Sequence, residues 1–328
     1  MRAARFHRYG PPDVLTVEDA PAPTLRPNDL LVDVHAASVN PVDCKIRAGG
    51  LRGPVRLALP WITGLDVSGT VAAVGPEVTG FAVGDAVYAS PGVDRPGTCA
   101  EQVALDASQV AHKPESLSHE EAATLPLVGL TAWSCLDGIR PGQRVLVQAG
   151  SGGVGTFAIQ LAKQRGAHVI TTCSPRNHQL VRDLGAHEVI DYRTQRFDDL
   201  HDDLDLVLDA LGGDERDAAI RACRRGGAVA CIVSGLPGFT ERYGPHLAVL
   251  AVAGSTVRFF VKSLLAGVKP KMVLREANGK QLSAITTLVD AGDVRPVVDQ
   301  VFALEDIAAA HAHVETGRAR GKVAIALR

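Results

Sequence analysis

The amino-acid sequence predicts an α/β protein in which a small barrel-like β domain precedes a doubly wound parallel sheet. Three observations carry that expectation. The chain has 328 residues, more than one hydrophobic core usually serves. Residues 1–115 read as short strands separated by proline and glycine, the pattern of a β domain. From Arg144 onward strands alternate with helices, which implies crossover connections and a parallel sheet covered on both faces.

The elements follow in order. Strands are expected in DLLVDVHAASV (29–39), GTVAAVG (69–75), DAVYAS (85–90) and TCAEQVAL (98–105). Ser118, with Glu121 three residues later, forms a capping box that starts a helix. Strands then fit 144–149, 168–173, 188–191, 205–210 and 227–233, and helices fit 153–165, 176–184 and 214–224. The last segment, from Arg295, returns to strand–helix–strand. It either extends the parallel sheet or folds back onto the first domain, and pattern alone does not choose.

Composition narrows the function classes. Hydrophobic residues make up 46%, charged ones 21% and aromatic ones only 4%, so small aliphatic side chains build the core. A net charge of −2 without a long basic run argues against a nucleic-acid partner. No stretch approaches an uninterrupted membrane span on this reading, and MRAARFHRYGPP lacks the apolar segment of a secretory signal. A soluble cytoplasmic protein with no membrane partner is therefore expected. Cys44, Cys99, Cys135, Cys173, Cys223 and Cys231 lie far apart with no CxxC pair. They read as small core residues rather than a disulfide or zinc framework. The eleven histidines show no ligand or triad spacing and read as structural or solvated.

The stretch VLVQAGSGGVGTFAIQLAK (145–163) carries the chemistry. Gly150-Ser151-Gly152-Gly153-Val154-Gly155 fits GxGxxG between an apolar strand and an amphipathic helix, the context a dinucleotide-binding turn requires. Gly150 is expected to permit the tight turn, Gly152 to let backbone approach a pyrophosphate, and Gly155 to let helix pack on strand. The first helical N–H groups and the helix dipole then receive the anion.

The next strand ends in Cys173-Ser174-Pro175-Arg176, where an NAD-binding chain would offer a carboxylate to the ribose 2′-OH. Arg176 can instead pair with a 2′-phosphate, and Ser174 can donate to it. Tyr192, just past the third strand of this domain, can add its hydroxyl or ring. NADPH is the expected cofactor.

With these blocks in place the chain resembles the medium-chain dehydrogenase/reductase superfamily, specifically its zinc-free quinone oxidoreductase and alkenal/enone reductase branch. The resemblance is carried by SVNPVDCKIRAG (38–49), TGLDVSGTVAAVG (63–75), FAVGDAVYAS (81–90), GTCAEQVAL (97–105), LPLVGLTAW (125–133), the glycine turn, and GKVAIAL (321–327). It implies a GroES-like β-barrel catalytic domain over 1–118, an NADP-binding Rossmann domain over 119–285, and a return of 286–328 to the catalytic domain. It also implies an active site in the cleft between domains and a homodimer. Zinc-dependent relatives place Cys where this chain has Asn40, and His-Glu where it has Leu65-Asp66. Their four-cysteine structural loop is absent, so no metal is expected.

The resemblance further implies NADPH-dependent reduction of a quinone or of an activated alkene. Negative charge then grows on a carbonyl oxygen, and fixed donors must stabilise it in place of a metal. Asn40, Lys45 and Thr131 are the candidates, Thr131 by analogy beside the nicotinamide. Lys45 stands where many quinone reductases carry Tyr; it is read as a ribose ligand, proton relay or enolate donor, against a merely solvated lysine. Asp43 is read as an orienting residue. By the same analogy Ser234 and Gly235 approach the carboxamide, and Lys322 reaches the pyrophosphate. Phe259 and Phe260 line the substrate side or serve packing. Alternatives are a narrower enoyl or carbonyl reductase, or a nucleotide-binding structural or regulatory protein with little catalysis.

Overall fold

In the computed structural model, which describes residues 1–52, 57–93, 95 and 97–328, the chain opens with β1 (Arg2–Phe6), paired antiparallel to β2 (Leu15–Asp19). β3 (Asp29–Val39) follows and runs into a short helix, α1 (Pro41–Arg47). β4 (Trp61–Ile62) returns to β1. β5 (Asp66–Val74), β6 (Ala86–Ala89), β7 (Gln102–Asp106) and β8 (Val110–His112) continue the β region. β3 is its spine, antiparallel to β5 along one edge and to β7 along the other. Leu30, Val32 and Val34 alternate inward along β3 and meet Val67, Val71, Val87, Val103, Leu105 and Val110, the period-two burial of a strand with one face on a core.

Ser118 caps α2 (His119–Ala122): its hydroxyl accepts from the Glu121 N–H, and the Glu121 carboxylate accepts from the Ser118 N–H. Both bonds of the expected capping box are present. α3 (Pro126–Cys135) then leads to β9 (Arg144–Val147).

The strand–helix alternation builds a parallel sheet. α4 (Gly153–Gln164), β10 (His168–Cys173), α5 (His178–Asp183), β11 (Glu188–Asp191), α6 (Phe197–Leu200), β12 (Leu204–Asp209), α7 (Gly213–Ala222) and β13 (Cys223–Cys231) follow in turn. After α8 (Leu236–Leu265) comes β14 (Lys269–Met272). The sheet order among the described residues is β11-β10-β9-β12-β13-β14, every pair parallel. Val145, Leu146 and Val147 are all buried, as a central strand covered on both faces demands.

Several elements were not expected from sequence, α1, α6 and α9 among them, and two others break the pattern that was read. β14 carries Pro270 and two lysines, and such a strand is tolerated because it lies at the sheet edge. α8 is long and apolar enough to cross a membrane by length and composition, with a mean hydropathy of 1.6 over its most apolar window. This corrects the expectation that no stretch approaches such a span. Gly244, at φ 76° before Pro245, breaks it into two helices.

The tail adds α9 (Gly279–Asp290), β15 (Val298–Ala303), α10 (Ile307–Glu315) and β16 (Lys322–Ala326). β16 pairs antiparallel with β3, Val323 opposite Val39, so the tail joins the first sheet. The chain accordingly divides into two compact units, residues 1–49, 55–130 and 276–328 in one, and 50–54 and 131–275 in the other. Residues 119–130 and 276–285, read from sequence as part of the nucleotide-binding segment, group with the first unit. Their bonds explain it: the Tyr88 hydroxyl donates to the Leu282 carbonyl (2.7 Å), and the Leu127 N–H donates to Asp66 (2.8 Å). All six cysteines are free and buried.

Candidate functional site

In the second unit, the glycine turn hangs from β10. The Gly150 N–H donates to the Thr172 carbonyl (3.0 Å) and the Ala149 N–H to the Thr172 hydroxyl (3.2 Å). The left-handed residue of the turn is Ala149, at φ 52°. Gly150 is required by space instead, since a Cβ there would lie 1.9 Å from the Thr171 hydroxyl oxygen. Gly155 is likewise held to glycine by space: its Cβ would lie 2.4 Å from the Ala149 carbonyl oxygen in the turn. A Cβ on Gly152 would meet only that same carbonyl, at 3.3 Å, so the space above it is open. Ser151, Gly152, Gly153 and Val154 are half-buried. The N–H groups of Gly153, Val154 and Gly155 open α4 and have no intrahelical acceptor.

The parallel register places Cys173 of β10 opposite Asp191 of β11, so Ser174 and Tyr192 leave neighbouring strand ends. Arg176 is exposed in the short turn Pro175–Asn177, and Tyr192 is 62% exposed. Tyr192 also lines a cavity of about 380 Å³ with Arg193, Thr194, Gln195 and Arg196. Asp191, which ends β11, accepts from the Arg193 backbone N–H (3.1 Å) and guanidinium (3.2 Å), and the Arg193 bond holds its carboxyl below the usual range.

Asn177 is a residue that sequence reading missed. Its Nδ2 donates to the Ser151 hydroxyl oxygen (2.8 Å) and the Ser174 hydroxyl oxygen (3.4 Å). The signal available was only its place one residue past Arg176.

Ser234 and Gly235 stand where β13 passes into α8. The Ser234 hydroxyl accepts from the Leu236 N–H (3.2 Å), and Gly235 adopts φ 74°. A buried ion pair fixes this loop: the Arg216 guanidinium donates to Asp209 (2.9 Å) and to the Val233 carbonyl. Phe259 is buried in the core with the Arg216 guanidinium over its ring, which assigns it to packing. Thr131 lies buried on α3.

In the first unit a second polar group surrounds Asp66, which is fully buried. Its carboxylate accepts from the Ser38 hydroxyl (2.8 Å), the Asn40 amide (2.8 Å), the Leu127 N–H (2.8 Å) and the Lys322 ammonium (3.3 Å). Those donors fill the lone-pair sites of a carboxylate. Two expectations are corrected here. Lys322 is only 5% exposed, and its Nζ also donates to the Val39 carbonyl (3.4 Å) and Asn40 Oδ1 (2.5 Å). Its three N–H donors are thus engaged inside the first unit, not by a pyrophosphate. Asn40, 1% exposed, turns its amide to Asp66 and its carbonyl to Lys322, so it positions the start of α1 rather than facing a substrate oxygen.

Asp43 caps the same helix by accepting from the Asn40 N–H (2.8 Å). Burial pushes its carboxyl up to about 7 against the pull of that bond, with the nearby Asp66 charge adding to the rise. Lys45, on the other side of α1, is exposed and has no hydrogen bond or ion pair among the described residues. Cys44 lies against His311 (Sγ to Nδ1, 3.5 Å), with its thiol pushed up to about 12 by burial.

Comparison with known proteins extends this picture. An alcohol dehydrogenase GroES-like domain matches residues 26–115, and a zinc-binding dehydrogenase domain matches residues 184–325. The chain is 37% identical to a mitochondrial NAD(P)H oxidoreductase of Danio rerio, covering 100% of this chain and 91% of that protein. It is 34% identical to a chloroplastic NADPH-dependent alkenal/one oxidoreductase of Arabidopsis thaliana, covering 99% of this chain and 79% of that one. Among solved structures, the quinone oxidoreductase from Coxiella burnetii superposes with a TM-score of 0.88 at 34% identity, covering 100% of this chain and 99% of the other.

The zinc in the second domain's description does not fit the residues present. Asn40 and Asp66 are bridged by an ammonium, Cys44 points to His311, and zinc needs three or four electron-pair donors. Among the described residues no cluster of three His, Cys, Asp or Glu side chains is arranged to hold a metal.

Proposed function

The chain belongs to the medium-chain dehydrogenase/reductase superfamily, in its quinone oxidoreductase branch, and from that membership we propose that it is an NADPH-dependent, zinc-free oxidoreductase delivering hydride to quinones or α,β-unsaturated carbonyls. The observation that carries the reading is the turn at the head of α4, with open space above Gly152 and a strand end that offers Ser174 and Arg176 in place of an acid. NADPH, when bound, supplies the hydride from its nicotinamide.

The protein's own groups do the rest. The N–H groups of Gly153, Val154 and Gly155 and the α4 dipole hold the pyrophosphate. Ser174, Arg176 and Tyr192 receive the 2′-phosphate, where a guanidinium forms its strongest pairs. Ser234 and Gly235 hold the carboxamide through backbone groups, and the Thr131 hydroxyl orients the nicotinamide. Lys45, with its ammonium directed to water, is the donor for charge growing on the substrate oxygen. Asn40, Asp66 and Lys322 fix the helix that carries it.

The reading includes a homodimer in the cytoplasm, tested by light scattering and cell fractionation. Its chemistry is tested by following NADPH oxidation with a quinone and an enone in parallel. Turnover with at least one acceptor and a kcat/KM for NADPH above that for NADH are expected. Lys45→Ala should lower kcat by about 10²-fold, the usual cost of a lost oxyanion donor. No turnover with either acceptor would favour the nucleotide-binding structural protein, and an unchanged kcat would remove Lys45 from the chemistry.

A further inference from the structure

Resting on the NADPH reading, we infer that Asn177 is the positioning residue that selects the phosphorylated nucleotide, by turning two serine hydroxyls outward as donors. Asn177 ends the Pro175–Asn177 turn and is only 4% exposed. Its backbone N–H donates to the Ser174 carbonyl (2.9 Å), which fixes the turn. Its Nδ2 reaches two loops at once, Ser151 in the glycine turn and Ser174 at the end of β10.

The consequence follows from hydroxyl chemistry. A serine hydroxyl has one proton and two lone pairs. When its oxygen accepts from an amide N–H, its proton has to seek an acceptor elsewhere. Ser151 sits beside the N–H groups that open α4, and Ser174 sits beside Arg176. Both protons are therefore left for an acceptor other than Asn177, one at the glycine turn and one at the strand end, where an anionic ligand would receive them. Asn177 Oδ1 is buried with no hydrogen-bond partner, an orphaned acceptor on the side chain that joins the two serines. Among the cavities, buried clusters and exposed faces of the described residues, this is the arrangement in which one side chain serves both halves of the cradle.

Two substitutions separate this role from scaffolding. Asn177→Asp presents only acceptors, so the serine protons turn inward, and it adds the carboxylate that the strand end lacks. Dissociation constants are measured by nucleotide fluorescence for NADPH and NADH, and by calorimetry for 2′,5′-ADP and 5′-ADP, with no turnover involved. Asn177→Asp is expected to weaken NADPH and 2′,5′-ADP by about tenfold or more, the scale of a lost charge-assisted bond, while NADH and 5′-ADP, which lose only the Ser151 donor, weaken less. Asn177→Ser, too short to reach either hydroxyl, should move the NADPH-to-NADH ratio the same way by roughly threefold to tenfold, and it stands in if the Asp variant fails to fold.

Equal weakening of both nucleotides in the Ser variant would make Asn177 a scaffold and overturn the inference. So would an unchanged ratio in a wild type that prefers NADPH. A wild type with no preference, unaltered by Arg176→Ala, would instead overturn the NADPH reading itself.

Discussion

Gly150 shows how a single hydrogen atom in place of a side chain decides the cradle. The turn was legible as GxGxxG, but the division of labour was not. The left-handed conformation falls on Ala149, and Gly150 is held to glycine by the Thr171 hydroxyl, whose proton goes to the Val147 carbonyl (2.7 Å). Gly150→Ala should cost about 1–3 kcal/mol, the range for forcing extra atoms into a packed site, and should weaken NADPH binding with it. Gly152→Ala should leave stability within ~0.5 kcal/mol yet still lose nucleotide, because its Cβ enters the open space. Urea midpoints and nucleotide titrations of the two variants check this; a Gly150→Ala protein with native stability would contradict the steric account. Asn177 was illegible for a related reason: its partners, Ser151 and Ser174, come together only once two loops are placed.

At the scale of elements, the apolar runs of β9, β10 and β12 were readable because strands covered on both faces are continuous hydrophobic stretches. β14 escaped because Pro270 and two lysines hide an edge strand, and α8 because its apolar residues have no clear helical period to a core. Most of its apolar window lies outside the interior, only 17% of it being buried. β16 was readable as a strand in GKVAIAL, but the destination of Lys322 was not, since Asp66 lies 256 positions away. Removing that ammonium strands a fully buried carboxylate. Lys322→Met should lose about 3–5 kcal/mol, the usual cost of breaking a buried pair, with NADPH affinity of the folded protein unchanged. Thermal denaturation with and without nucleotide distinguishes this from a pyrophosphate contact, for which affinity would fall first.

For the whole molecule, Asp43 makes stability depend on pH in an uncommon direction. Its carboxyl titrates near 7 when folded against an ordinary 3.8, so the native state holds the proton more tightly than the unfolded chain does. Its contribution is complete below about 4 and is lost as pH rises through 7. The difference in stability between Asp43→Asn and wild type should therefore widen in the variant's favour from pH 5 to pH 8, by about 1 kcal/mol or more, roughly 2–4 °C in Tm for a chain of this size. A difference constant over that range would show the carboxyl to be ordinary. The sequence placed Asp43 as an orienting residue and could not foresee this, because the desolvation comes from elements far apart along the chain. The pairing of β16 with β3 has a last consequence, for biosynthesis. The ribosome delivers β3 long before β16, with the parallel sheet between them. The nucleotide-binding sheet can mature on the nascent chain, while the first sheet waits with an open edge on β3 that invites aggregation until β16 emerges.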